Sequence, residues 1–172
     1  MNPEIPEIDN CCDKETYAFF GLAAYWGQVL EHSALNLAIV LQLPAVNLVS
    51  QELFEELYTT LTRKTFGQLL KASKTVIQVS MDDEEYLGEV LELRNFLIHD
   101  YFRENADNFL SEAGRAEMKK ALQTIISKFK KADSILEAIY APLWEKYGIN
   151  TEFIDEHVKN LYAKAKERDK EF

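Results

Sequence analysis

The stretch Arg94-Asn95-Phe96-Leu97-Ile98-His99-Asp100-Tyr101 sets an arginine and a histidine inside a strongly apolar run. Both side-chain types do chemistry: a guanidinium is always protonated and presents a planar fork of donors to anions, and an imidazole gains and loses its proton near neutral pH. Read as a helix that begins near Asp83, the run places Leu87, Val90, Leu91, Arg94, Leu97, Ile98 and Tyr101 on one stripe at three- and four-residue spacing. An unpaired guanidinium buried in such a stripe is costly, so Arg94 must have a partner or open onto a cleft or a subunit interface. The opposite face carries Glu85, Glu89, Glu92, Asn95, His99 and Arg103. At ~100° per residue Arg94 and His99 point ~140° apart, so the long arginine stem or a distortion at the helix end must bring them to one site. Asn95 and His99, four apart, share a face directly.

Each residue also has a purely structural reading. His99 near a helix C-terminus stabilises the last turn through the helix dipole. Arg94 closes an ion pair with an acidic partner such as Glu31, and Tyr101 packs in the core.

Arg94-Asn95-x-x-x-His99 resembles the R-φ-x-x-x-H signature of HEPN domains, and His99-x-Tyr101 is similar to the R-x4-H-x-Y form of HepT-type toxins. The likeness covers about eight residues at the end of a helix, with a looser fit of helix order from about residue 14 to 140. It implies a metal-independent endoribonuclease that joins two copies of the motif across a homodimer into one composite cleft. In such a cleft the RNA 2′-hydroxyl attacks the adjacent phosphate and the 5′-oxygen leaves. His99 would do the general acid/base work and Arg94 would hold the phosphate and its transition state. Asn95 would orient His99 or the scissile phosphate. Tyr101 would contact phosphate or base, and in HepT-like systems a tyrosine here is modified by a partner antitoxin. Asp100 departs from the simplest HepT-like pattern. Its carboxylate either orients His99 and raises its pKa or repels the substrate phosphate. Glu31 is an auxiliary candidate. No cofactor and no metal are expected. The partners implied are a second copy of the chain, RNA, and an antitoxin or inhibitor protein.

The 172-residue chain is 47% hydrophobic and has no run near the length of a membrane span. It reads as one domain and off the membrane. The acidic N-terminus, Met1-Asn2-Pro3-Glu4, lacks the basic region and apolar core of a secretory signal. Adjacent Cys11 and Cys12 have no third cysteine to pair with, which fits a reducing, cytoplasmic compartment. A net charge of −10 counts against a generic nucleic-acid binder. RNA contact must then be local, from Arg63, Lys64, Lys71 and Lys74, or from Lys119, Lys120, Lys128, Lys130 and Lys131, most of which read more simply as solvated helix faces.

Helical periodicity dominates and no stretch alternates like a strand. The pattern predicts helices over about Lys14–Leu41 capped by Asp13, Gln51–Leu61 capped by Ser50, and Thr65 to about Val76. A motif helix should run from Ser80 through about Phe102, and a long helix from Ser111 to Ala141-Pro142. A last helix follows Asn150 or Thr151. The expected fold is an all-α, HEPN-like up-down bundle of four to five helices over about 14–140, with sequential neighbours antiparallel. An accessory helical segment over about 141–172 should pack on it. His32 is expected to face the core with Gln28 and Asn36, and His157 lies on the terminal helix. Neither has the companions of a metal ligand. Phosphate-binding glycine loops, Gly-x-Ser-x-Gly elbows and His-Glu-x-x-His motifs are absent. The leading expectation is thus a HEPN-type ribonuclease acting as a toxin or defence effector. The alternative is a non-catalytic HEPN-like module that binds nucleotide, RNA or a protein.

Overall fold

Helix signals at the ends of apolar-periodic segments become helix boundaries in the computed structural model, which describes residues 4–8, 12–74, 76, 79–168 and 170. The elements are α1 (Asp13–Val40), a 3-10 turn (Val46–Leu48), α2 (Gln51–Leu61), α3 (Phe66–Lys74) and α4 (Met81–His99). They continue with α5 (Tyr101–Glu104), α6 (Ala106–Phe109), α7 (Glu112–Glu145) and α8 (Thr151–Arg168). The described residues contain no strand, so the chain is an all-α bundle.

Side-chain caps account for most starts. Ser50, Ser80 and Ser111 each accept a hydrogen bond from a backbone N–H three residues on, satisfying a donor that the first turn leaves without an intrahelical partner. The cap of α1 is Cys12, whose sulfur accepts from Glu15 N–H at 3.4 Å; the expected cap, Asp13, is the first helical residue. Cys11, and with it the reading of the cysteine pair, lies outside the described residues.

Two helix ends differ from expectation. The motif helix stops at His99 because Asp100, at φ −126° and ψ −17°, leaves helical geometry before α5 resumes the turn. The long helix runs through Pro142 to Glu145. Proline removes one hydrogen bond to the Ala138 carbonyl, but Ala138 is exposed to water and Leu143 and Trp144 still pack against the core, holding the last turn in place.

Three long helices set the layout. Glu15 at the start of α1 pairs with Lys119 at the start of α7, and Ser33 bonds Asp133 further along both, so α1 and α7 run parallel. Tyr86 reaches the Lys128 carbonyl and Tyr101 the Met118 carbonyl, so α4 runs antiparallel to α7. The order is up, down, up. Sequential long helices are antiparallel, as expected, yet α1 packs most extensively on its parallel partner α7. The core between them is built from Phe19, Trp26, Leu30, Val90, Leu97, Leu122, Ile126 and Phe129. Gly114 fits a close approach of α7 to α6: a Cβ there would lie 2.2 Å from the Asn108 carbonyl oxygen.

The segment after Pro142 meets the bundle through its first part, where Leu143 and Trp144 pack on the core and Tyr147 bonds the Pro44 carbonyl, and it continues into the more exposed α8. No residue of α8 is buried, and Ile154, Val158 and Leu161 on its apolar stripe stand exposed. Among the described residues, no helix is long and apolar enough to cross a membrane.

Candidate functional site around Arg94 and His99

Arg94 lies on the face of α4 that turns toward α1, between the buried residues Val90 and Leu97. Its stem rests against α1 at Gly27, where an added Cβ would sit 3.7 Å from Arg94 Cγ and 3.4 Å from the Phe129 ring. One turn further along α1, Glu31 forms an ion pair with Arg94 Nη2, and the two side chains keep only 22% and 29% of their surface exposed. A carboxylate at this point answers the charge that the apolar stripe could not hold alone. Arg94 Nη1 also donates to Asn95 Oδ1 at 3.5 Å, a long and weak contact. Glu31, Arg94 and Asn95 therefore form one connected group.

His99 occupies a different setting. It is the last residue of α4, exposed, in the turn where the helix dipole favours positive charge. No hydrogen bond or ion pair joins it to Arg94, Asn95 or Asp100 among the described residues. The Asp100 carboxylate is held by Arg103 Nη2 at 2.7 Å, and Arg103 also reaches Glu104 at 3.2 Å. In this arrangement Asp100 answers the arginine three residues on, and the imidazole is left to solvent.

Tyr101 turns inward. It is 2% exposed, donates its hydroxyl to the Met118 carbonyl at 2.7 Å, and sits among Phe20, Phe96 and Phe102. Burial pushes its hydroxyl well above the ordinary tyrosine range. Contact with phosphate, or modification by a partner, would require this side chain to leave the core.

A hollow of about 310 Å³ opens beside the Glu31–Arg94 pair, lined by Gln28, Glu31, His32, Thr62, Lys64 and Phe66 among others. Sequence reasoning placed His32 in the core, but it is exposed and lines this hollow. The signal was present: Gln28, Glu31, His32 and Leu35 recur at helical spacing, and the polarity of three of the four marks a face turned outward.

The basic candidates scatter. Lys64 reaches the hollow beside Glu31. Lys119 is fully buried against Glu15 and is no surface contact. Lys128 lies 3.6 Å from Glu89, while Lys130 and Lys131 sit over the rings of Trp26 and Tyr86. The side chain of Lys74 lies outside the described residues. No group of three or more His, Cys, Asp and Glu side chains is placed to hold a metal ion among the described residues. The chain matches no protein-family model, no curated protein and no solved structure at a significant level.

Proposed function

We propose that the chain is a metal-independent HEPN-type endoribonuclease, with His99 as the proton-transfer group and Arg94 as the phosphate clamp. The observation that carries the reading is the Arg94-Asn95-x-x-x-His99 spacing at the very end of α4: a guanidinium steadied by Glu31, and a solvent-facing imidazole one turn beyond it. In the reaction the 2′-oxygen loses its proton to one imidazole and bonds to phosphorus, while the 5′-oxygen leaves with a proton from a second. Two protons move in opposite senses, so two histidines divide the work, and a second copy of the chain supplies the other. Arg94 lowers the cost of the extra negative charge on the pentacoordinate phosphorus. Asn95, beside Arg94 and four residues before His99, orients the imidazole or the scissile phosphate. The biological role that follows is a cytoplasmic toxin or defence effector restrained by an inhibitor protein.

A second reading draws on the same ion pair. With Glu31 neutralising Arg94, and a chain of net charge −10, the site equally suits a binding module that holds nucleotide, RNA or a protein without turnover.

The test is incubation of the purified chain with total tRNA and a mixed RNA substrate in excess chelator. The ribonuclease gives products with 2′,3′-cyclic phosphate ends, and His99→Ala and Arg94→Ala abolish them while circular dichroism stays unchanged. Cleavage that survives in both variants removes the site assignment. Intact RNA with saturable binding, weakened by Arg94→Ala, establishes the binding module instead.

A further inference from the structure

A second hollow, of about 350 Å³, sits where α2, the end of α7 and the start of α8 meet α1, and it shares no lining residue with the one beside Glu31. Its volume falls within the range of small-ligand sites. Four aromatic side chains wall it: Phe54 and Tyr58 from α2, and Tyr140 and Trp144 from α7. Two carboxylates complete it, Glu137 and Glu145. Both are exposed, and neither is in an ion pair among the described residues. Among the described residues, no lysine, arginine or histidine lines it. The adjoining groove shares Asn36, Glu137 and Tyr140 with this hollow and adds a third carboxylate, Asp133.

The walls are held in place before any ligand arrives. Phe54 and Tyr58 stack with centroids 6.3 Å apart and planes 19° from parallel. Tyr147 donates to the Pro44 carbonyl at 2.8 Å, tying the turn between α7 and α8 to the loop that follows α1. Burial raises the Tyr140 hydroxyl above its ordinary range, and Glu137 and Asp133 add to the rise. The local field is therefore negative.

Aromatic walls beside uncompensated carboxylates select for one chemistry. An anion would meet repulsion from both glutamates, and among the described residues no group of three or more His, Cys, Asp and Glu side chains is placed to hold a bare metal ion. A neutral apolar ligand would draw nothing from the two carboxylates. We propose that this hollow binds a monovalent organic cation on an apolar body, a quaternary or alkyl ammonium, through aromatic contact and charge neutralisation by Glu137 and Glu145.

The probe is benzyltrimethylammonium, titrated into the full chain at low salt and followed by calorimetry and by amide shifts around residues 144–154. Benzyl alcohol, which keeps the ring and lacks the charge, is the control. The expected result is saturable binding of the cation, at least about tenfold weaker binding of the alcohol, and a loss of about tenfold or more in the Glu137→Gln/Glu145→Gln double variant. Both glutamates are exposed, so the double variant keeps its fold and its thermal midpoint. Absence of saturation up to about 10 mM cation overturns the proposal. Equal affinity for the alcohol makes the hollow an ordinary apolar recess and overturns it too, as does full affinity in the double variant.

Discussion

The Arg94–Glu31 pair admits a quantitative test by a double-mutant cycle, with Arg94→Met, Glu31→Gln and the combination. Two unit charges about 4 Å apart gain about 4 kcal/mol at the effective dielectric of a protein surface. Side chains 22% and 29% exposed lose part of that to solvent screening and desolvation. The expected coupling is about 1–2 kcal/mol, above the usual surface pair and below a fully buried one. Methionine is the right replacement because it keeps an unbranched apolar stem beside Gly27 of α1, so the cycle reads charge rather than packing. Glu31→Gln leaves Arg94 on the apolar stripe without its anion and should be the more damaging single change. For a chain of this length about 1 kcal/mol corresponds to about 2–4 °C in thermal midpoint, so urea unfolding and calorimetry both resolve the effect. The double variant should be more stable than the sum of the singles predicts by the coupling energy. Additivity within about 0.3 kcal/mol would refute an energetic link between the two residues.

Two further outcomes follow from the packing. Gly114→Ala drives a Cβ into the Asn108 backbone and should destabilise by about 1–3 kcal/mol, whereas Gly21→Ala meets nothing within 4 Å and should stabilise α1 by about 0.5–1 kcal/mol; melts that move in the same direction for both would contradict the close approach of α6 and α7. For Tyr101, a hydroxyl whose pKa is raised on folding stabilises the fold fully below the unfolded value of about 10, and that contribution is lost as pH rises above it. Stability should therefore fall above about pH 10 by about 1.4 kcal/mol per pH unit from this group alone. Tyr101→Phe should be less stable at pH 7 by about 1 kcal/mol yet decline less steeply in alkali, and urea unfolding from pH 8 to 11 that shows equal slopes would sink the assignment.

The helical architecture was legible because its signals are local. Serine caps at Ser50, Ser80 and Ser111 and the stripe Met118, Leu122, Ile125, Phe129 are short-range patterns, and each marks the observed element. The need for a partner at Arg94 was also readable, and Glu31 was named for it, since charge in an apolar stripe demands compensation. What failed depends on tertiary placement. His32 was placed in the core, yet it is exposed and lines the hollow beside Glu31. The apolar stripe of α8 predicts burial, but none of its residues is buried. Proline at 142 reads as a stop, and packing of Leu143 and Trp144 overrides it. The break at Asp100 depends on a single residue leaving helical geometry, which no periodicity could register.

The parallel pairing of α1 with α7 has a consequence for how the chain reaches its fold. Ser33 and Asp133 are 100 residues apart, and Glu15 and Lys119 are 104 apart. The principal interface is thus made between nearly opposite ends of the domain, and its closure carries a loop entropy that a hairpin of neighbouring helices avoids. During synthesis α1 emerges first and waits with Phe19, Trp26 and Leu30 uncovered. At about 5–20 residues per second the delay before α7 follows is about 5–20 seconds, a window in which α3 and α4 are the available cover for those side chains.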